Sequence, residues 1–284
     1  IAFADAGAPA TPAYVAEEFD VIQDRVTYTC ETAVDGTAEI TCIVAESGVA
    51  KVSGPASIEH EGLAYKVTSL RFSGGTTAED VEQLLLPDTL EKLSGWNFRN
   101  FVKVKELRIP GSIKNFNCML QNASSLEKLT FDEGVEEISV GSMVNGCSSL
   151  SEINLPSTLK LISGNSTFTN AVSLKSIEFP EGVTFSDNIL GILSGCTSLT
   201  SVSLPASLTK IPMSMFSGCT SLKSVSAPGP IDSIGDSAFE NCSSLTDIDF
   251  QGTLTSIGSS AFQGCASLER VPDLSSVTEM GSSA

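Results

Sequence analysis

The sequence predicts a β-rich solenoid with a parallel sheet on one face, short turns or single helical turns on the other, and a small N-terminal β module. The main observation is a repeat of 22–25 residues. Its anchors are Val81, Val104, Leu126, Leu150, Leu174, Leu199, Leu222, Leu245 and Leu268. A unit of this length cannot bury its own apolar side, so successive units must stack on one another.

The segment after each anchor is the second observation. It alternates apolar and polar residues, as in Leu222, Val225 and Ala227, which predicts a strand. Proline has no N–H for a ladder and is expected to close the strand. The prolines in question are Pro87, Pro110, Pro156, Pro180, Pro205 and Pro228. We expect the nine strands to stack as one parallel sheet at about 4.8 Å per coil.

The second half of each unit is the third observation. It holds a short apolar pair, a glycine and a Phe, as in Ile231, Ile234 and Phe239. This predicts an extended piece followed by a turn or one helical turn. The Phe row is expected to form an internal spine of Phe98, Phe168, Phe216, Phe239 and Phe262. The unit of Leu174 carries a two-residue insertion around FSDNILGIL, which we expect to bulge from the turn side.

Two units carry a family resemblance: CTSLKSVSAPGPIDSIGDSAFENCSSL and CSSLTDIDFQGTLTSIGSSAFQGCASL. They resemble the BspA-type (Treponema pallidum-type) leucine-rich repeat, C-x-x-L-x-x-Φ-x-L-P-x-x-Φ-x-x-I-G-x-x-A-F. The resemblance covers roughly residues 78–284, and the early stretch SGWNFRNFVK departs from it. It implies a leucine-rich-repeat solenoid.

Three regions are predicted along the chain. Residues 1–16 form a flexible lead-in after a removed secretion signal, because Ala4-Asp5-Ala6 fits a cleavage site. Residues 17–77 form a β module with a hairpin at Asp35-Gly36, which covers the open edge of the first coil. Residues 78–284 hold about nine repeats, and VTEMGSSA stops where the pattern requires Phe, so we expect a truncated array.

The charge balance narrows the classes of partner. The net charge is −18, which argues against nucleic acid and disfavours anionic lipid surfaces. No run of 18 apolar residues occurs, so the sequence predicts no membrane span.

Eight cysteines raise the question of metal or disulfide bonds. Five share one repeat position, where Ala123 and Ala171 stand in other units, which favours a small buried apolar role. They are Cys147, Cys196, Cys219, Cys242 and Cys265. We expect no metal site. Cys30 and Cys42 are predicted to lie nearly opposite each other across the hairpin, either as a disulfide or as two buried thiols.

Catalytic chemistry is not expected, and neither is a cofactor. His60 is the only histidine, no G-x-S-x-G frame surrounds a serine, and no glycine-rich phosphate loop is present. A hydrolase would need His60 in a polar pocket, and we expect it in an open loop.

A binding surface is predicted on the strands, where the residues two and four after each anchor point away from the core. The candidates are Glu106, Arg108, Lys128, Thr130, Glu152, Asn154, Ser176, Glu178, Asp247 and Asp249. Ser201, Ser203, Ser224, Ser226, Arg270 and Pro272 complete this ladder. Trp96 is a second candidate contact, with packing into a turn as the alternative.

Two functional hypotheses follow. The resemblance implies a secreted or bacterial cell-surface protein that adheres to host extracellular-matrix proteins, other surface proteins or glycoproteins. The alternative is a structural spacer that displays a downstream domain.

Overall fold

The computed structural model describes residues 13–95, 98–270 and 273–284. Residues 1–12 of the lead-in, Trp96 and Pro272 therefore lie outside the described residues. A single 3-10 helix, Phe98–Asn100, stands among 22 strands in the described ranges. None of the described segments forms a helix with the length and hydrophobicity needed to cross a bilayer.

The first part of the chain forms a mixed sheet. Its strands include β1 (Glu18–Gln23), β2 (Val26–Thr32), β3 (Thr37–Ala45), β5 (Ser57–His60) and β6 (Leu63–Phe72). Strands β1, β2 and β3 are antiparallel neighbours, and β6 lies between β3 and β5. Strand β4 (Lys51–Ser53) stands outside this sheet.

Most later coils contribute two strands, which line up in two rows that we call sheet one and sheet two; the coil of Leu174 has a strand only in sheet two. Sheet one holds the strands that follow the anchors: β7 (Gln83–Leu85), β9 (Glu106–Ile109), β11 (Lys128–Phe131), β13 (Glu152–Asn154), β16 (Ser201–Ser203), β18 (Ser224–Pro230) and β20 (Asp247–Gln251). Sheet two holds β8 (Lys92–Gly95), β10 (Asn115–Phe116), β12 (Glu137–Ile138), β14 (Leu161–Ile162), β15 (Thr184–Phe185), β17 (Lys210–Ile211), β19 (Ser233–Ile234), β21 (Ser256–Ile257) and β22 (Glu279–Met280). The solenoid of about nine turns confirms the predicted fold class.

The mixed sheet is continuous with the solenoid. Strand β4 pairs in parallel with β7, and β6 pairs in parallel with β8. Both strand rows of the first coil therefore find hydrogen-bonding partners in the N-terminal region, so its polar backbone edge is covered there.

Sheet one is interrupted, which corrects the expectation of one continuous sheet. Hydrogen-bonded strands form the groups β4–β7, β9–β11–β13 and β16–β18–β20. In the coil of Leu174 only an isolated bridge, Glu178 to Ser203, continues the row. Pro228 also departs from expectation, because it lies inside β18, where the register with β20 shifts, and not at the strand end.

Sheet two shows that the second half of each unit is a regular parallel row and not only an extended piece before a turn. Its strands are mostly two residues long, and they form the groups β10–β12–β14–β15 and β17–β19–β21–β22. Equivalent residues pair from coil to coil, as Ile211 with Ile234 and Ile234 with Ile257.

The turn before the cysteine position needs a left-handed backbone. Asn241 has φ of 60° and Gly264 has φ of 79°, and both stand one residue before a cysteine. A Cβ on Gly264 would lie 2.6 Å from the Asn241 side-chain oxygen. Only Gly and Asn enter this region readily, which explains why the repeat alternates between them.

The Phe row forms the predicted spine. Phe216 and Phe239 stack with ring centroids 5.3 Å apart, and Phe239 and Phe262 stack at the same distance. Phe98 and Phe168 are fully buried, and coils without Phe at this position place Leu120, Val144 and Leu193 there. The spine is thus continuous, although its residue type varies.

The repeated cysteines do more than fill small spaces. Each thiol donates a hydrogen bond to the backbone carbonyl of a spine residue in the preceding coil. The Sγ–O distances are 3.1 Å for Cys147 to Leu120, 3.1 Å for Cys219 to Leu193 and 3.1 Å for Cys242 to Phe216. Alanine at the same position cannot make this bond, so Cys is a polar partner for a buried carbonyl as well as a small side chain.

Cys30 and Cys42 are free thiols and do not face each other, so the structure contains no disulfide between them. A register shift after Thr29 pairs Cys30 with Ile40 and Cys42 with Thr29. Cys30 is buried, whereas Cys42 is half-buried and Val44 is exposed. The extra residue reverses the inside–outside alternation, which strict period-two reasoning could not anticipate.

We predict that Phe239→Ala destabilises the solenoid strongly. The substitution removes a fully buried ring that stacks on both sides, and such changes cost about 3–5 kcal/mol. Urea unfolding followed by circular dichroism measures the loss. Phe262→Ala is the matched control, since Phe262 is only partly buried and its cost is expected to be smaller. Equal losses would contradict the spine as described.

We also predict that the cysteine row resists alkylation in the folded protein. Burial raises the pKa of Cys147 and of Cys242 to about 12 because the thiolate is disfavoured away from water. At pH 8 both therefore remain neutral, whereas the reactive species is the thiolate. N-ethylmaleimide labelling followed by mass spectrometry should modify the half-buried Cys42 first. Urea-unfolded protein is the control, in which all eight cysteines react at comparable rates. Rapid native labelling of Cys242 would refute this account.

Candidate functional site

The predicted ladder lies along sheet one, and we call its outward side the ladder face. Its residues are Glu106, Arg108, Lys128, Thr130, Glu152, Asn154, Ser176, Glu178, Ser201, Ser203, Ser224, Ser226, Asp247, Asp249 and Arg270. They alternate with buried positions along each strand; in β9, for example, Leu107 and Ile109 point inward. Most of these side chains are thus held on a strand whose inner residues fix its direction, whereas Ser176, Glu178 and Arg270 lie outside the strands.

The register brings ladder residues of successive coils side by side. Lys128 pairs with Glu106 on one side and Glu152 on the other, and Thr130 lies between Arg108 and Asn154. In the later coils, Ser224 lies between Ser201 and Asp247. Two parallel lines of polar side chains result, at the strand spacing of about 4.8 Å.

The early part of the ladder face is tied together by ion pairs. The Lys128 ammonium lies 2.6 Å from Glu152. Arg108 bonds Asp88 at 2.9 Å and also contacts Asp132. Each of these pairs joins different coils, so charge on this part of the face is locally balanced.

The hydrogen bonds also shift the acidity of two ladder residues. The bond from Lys128, followed by one from the Asn154 amide at 2.8 Å, lowers the pKa of Glu152. The same bond raises the pKa of the Lys128 ammonium. Both groups are therefore charged across the neutral range, and a partner meets a fixed, polar Lys–Glu–Asn cluster.

The interruption of sheet one produces a shallow hollow on the ladder face. It has a volume of about 270 Å³ and is lined by Glu152 and Asn154 on one coil and by Ser176 and Glu178 on the next. All four belong to the predicted site residues. The structure thus brings them together, and it does so because the strands on either side are not hydrogen-bonded.

The later part of the ladder face differs in chemistry. Four small hydroxyl side chains lead to an acidic end, where Asp247 and Asp249 are exposed on β20. These two line a hollow of about 420 Å³ together with Phe250, Arg270 and Asp273. Neither aspartate forms an ion pair with another described residue. Sequence reasoning placed the aspartates but missed Phe250, which lies on β20 itself, and Asp273, which comes from the following coil.

His60 is the last residue of β5 and not part of an open loop. Its Nε2 lies 2.8 Å from a Glu17 carboxylate oxygen, and its ring stacks on Phe19 with centroids 3.8 Å apart. Glu61 lies beside them, and one ligand atom from each of Glu17, His60 and Glu61 falls within 4.8 Å of the others. Glu17 is distant in sequence, so this exposed cluster gave no sequence signal. It belongs to the mixed sheet and not to the ladder face.

The ladder face can therefore bind but has no assembled catalytic group among the described residues. Its serines lie on β16 and β18 and, as Ser176, in the coil of Leu174, whereas His60 is held in the N-terminal sheet. The face offers rigid donors and acceptors in two lines, a mixed-charge cluster at one part and acidic groups at another. Such an extended surface suits a macromolecular partner better than a small molecule.

Comparison with known families and structures agrees with this architecture. The sequence model of the BspA type leucine rich repeat region matches in six copies, over residues 76–190 and 164–284. No curated protein matches the chain significantly.

Solved structures are also similar. A leucine-rich repeat protein from Bacteroides ovatus is 26% identical with a TM-score of 0.68, over 93% of this chain and 61% of its own. This chain therefore spans about three-fifths of that protein. The Treponema pallidum leucine-rich repeat protein is 23% identical with a TM-score of 0.48, over 87% and 89% of the two chains. A leucine-rich cell surface protein from Faecalibacterium prausnitzii is 19% identical with a TM-score of 0.38, over 94% and 95%.

The family match extends over most of the chain and coincides with the coils, the anchors and the Phe spine described above. The chain belongs to the BspA-type leucine-rich repeat family.

Proposed function

We propose that this protein acts at the bacterial cell surface and binds partner proteins through the ladder face, without catalysing a reaction. Host extracellular-matrix proteins, other surface proteins and glycoproteins are the partner class. The observation that carries the proposal is the double line of exposed polar side chains, held in register by sheet one. Because the stacked backbone fixes these side chains in advance, binding would cost little ordering entropy.

The surface location is supported by membership in the BspA-type leucine-rich repeat family, for which a bacterial cell-surface location is expected. The acidic composition fits the same proposal, since a net charge of −18 keeps an exposed protein soluble and favours basic patches on partners.

The cluster of Lys128, Glu152 and Asn154 is the proposed centre of the contact. It combines both charges and an amide in one fixed arrangement beside the hollow at Ser176 and Glu178. Groups of this kind give specificity because a partner that leaves any of them unpaired loses affinity.

We predict that changing Lys128, Glu152 and Asn154 together to Ala weakens partner binding at least tenfold. A tenfold change corresponds to about 1.4 kcal/mol, the loss expected when a few central contacts are removed. An array of matrix proteins, mucins and glycoproteins first identifies a saturable partner, and surface plasmon resonance then compares the variants.

The matched control is the double change of Glu136 and Lys160 to Ala. These residues also form an exposed pair at 2.6 Å between coils, but Lys160 leads into sheet two and not the ladder face. Equal weakening by both variants would contradict a site on the ladder face. Absence of any partner at micromolar protein would favour the structural spacer.

A second prediction concerns the acidic end. Changing Asp247 and Asp249 to Asn should slow association with a basic partner severalfold and flatten its dependence on salt. The reason is that unpaired surface charges act mainly by steering the encounter, and salt screens them. Stopped-flow association rates at two salt concentrations test this. Unchanged rates and an unchanged salt slope would show that this end does not face the partner.

A further inference from the structure

A backbone hydrogen bond recurs in sheet two. The residue after each apolar strand position donates its N–H to the carbonyl of the preceding coil. The donors are Ser139, Ser163, Ser186, Gly235, Gly258 and Gly281, over distances of 2.7–3.2 Å. In the coil of β17 this position holds Pro212, which has no N–H.

The missing donor affects a specific acceptor. Thr184 and Ser186 donate their N–H groups to the preceding coil, at 2.9 and 3.2 Å. Alternate residues of a strand direct their backbone groups to opposite neighbours, so Phe185 directs its carbonyl towards the coil of Pro212. Strands β15 and β17 are accordingly unpaired.

The unpaired stretch between β15 and β17 is short, and hydrogen bonds join the two coils on both sides of it. On one side the Ser207 hydroxyl donates to the Val183 carbonyl. On the other, Gly191 donates its N–H to the Met213 carbonyl at 2.9 Å, next to the bridge between Leu190 and Met213. The two-residue insertion of the Leu174 unit lies between these closures, so the gap is part of the fold and not a frayed edge.

A cleft of about 740 Å³ lies at this gap. Its apolar lining comes from Phe185, Ile189, Leu190, Leu208, Pro212 and Met213. Leu190 is 37% exposed and Met213 is 44% exposed, so the cleft opens to solvent through apolar side chains. An open cleft with an apolar lining and a few directed polar groups is the usual form of a ligand site.

Two opposite charges stand at the cleft. Asp187 and Lys210 both line it, and neither forms an ion pair with another residue that the structure describes. A ligand with one basic and one acidic group would complement them.

We propose that this cleft binds an extended peptide segment of a partner protein. A peptide N–H donates to the Phe185 carbonyl in place of the missing donor, and an aliphatic or aromatic side chain enters the apolar cleft. A basic and an acidic residue of the segment face Asp187 and Lys210. The site lies on sheet two and is separate from the ladder face, so it stands whether or not that face binds a partner.

A peptide fits better than the other macromolecular ligands. Lipid chains match the lining but carry no donor for the carbonyl. Glycans carry donors, but they present mostly hydroxyl groups and would leave the six apolar side chains of the cleft without an apolar partner. A peptide strand supplies the donor and the apolar side chain at the spacing of a strand, which is how exposed strand edges are recognised elsewhere.

The experiment uses the full chain and a phage-displayed library of random heptapeptides as the probe. Peptides enriched over background are synthesised, and fluorescence polarisation measures their affinity. We expect them to share an apolar residue, and to bind Leu190→Glu at least tenfold more weakly than the unmodified protein. Val34→Glu is the matched control, because Val34 is an exposed apolar residue outside the cleft, and its affinity should change less than twofold.

Pro212→Ser provides an independent test, since serine supplies the donor at this position in three other coils. The added N–H competes for the Phe185 carbonyl, so peptide affinity should again fall at least tenfold. Circular dichroism confirms folding of each variant, and Met213→Glu replaces Leu190→Glu if the latter does not fold.

Three results would overturn the proposal. The first is that no peptide is enriched. The second is that enriched peptides bind Leu190→Glu and Pro212→Ser with unchanged affinity. The third is that a glycan array yields a ligand whose binding depends on Leu190 while no peptide does, which would identify a carbohydrate site. Unchanged peptide binding by the variant with Ala at 128, 152 and 154 would support a site distinct from the ladder face.

Discussion

The backbone hydrogen bond between equivalent residues of neighbouring coils is the interaction on which this structure depends. A single coil buries little apolar surface and leaves both strand edges open, so it gains stability only through the coils on either side. The N-terminal region meets the same requirement at the start of the array, where β4 and β6 pair with β7 and β8. The exposed side chains of the stacked strands, including those of the ladder face, take their spacing from these hydrogen bonds.

Side chains add further hydrogen bonds to this network. Cysteine thiols donate to spine carbonyls, as Cys242 does to Phe216, and the Ser207 hydroxyl donates to the Val183 carbonyl beside the gap in sheet two. The left-handed residue before the cysteine position is Asn or Gly, as in Asn241 and Gly264. The repeat sequence therefore recurs from coil to coil for polar reasons as well as apolar ones, because the thiol is a second donor to a spine carbonyl that already accepts a backbone N–H of its own turn.

The sequence was enough to predict the repeat, the fold class, the Phe spine and the positions of the ladder residues, because these depend on period and on alternation. The strands of sheet two were harder to predict, because a strand of two residues shows no alternation of apolar and polar residues. The register shift after Thr29 separated Cys30 from Cys42 in a way that depends on one extra residue. The two hollows of the ladder face could not be predicted from the sequence. The hollow beside Glu152 exists because sheet one is interrupted there. In the hollow at the acidic end, Phe250 and Asp273 meet only through the stacking of coils. The limits of the N-terminal module and the binding role of the ladder face stay predictions.

One interruption of each sheet falls on the coil between Leu174 and Leu199. Sheet one is unpaired on the side facing β13, and sheet two is unpaired on the side facing β17. Hydrogen bonds in the turn region run through both junctions, as Phe168 to Ile192 at 2.9 Å and Leu193 to Met215 at 3.0 Å. Each junction also keeps one strand row, since β14 pairs with β15 across the first and Glu178 bridges Ser203 across the second. The coil of Leu174 is therefore tied to both neighbours, although on opposite sheets it leaves part of its backbone edge without a partner strand.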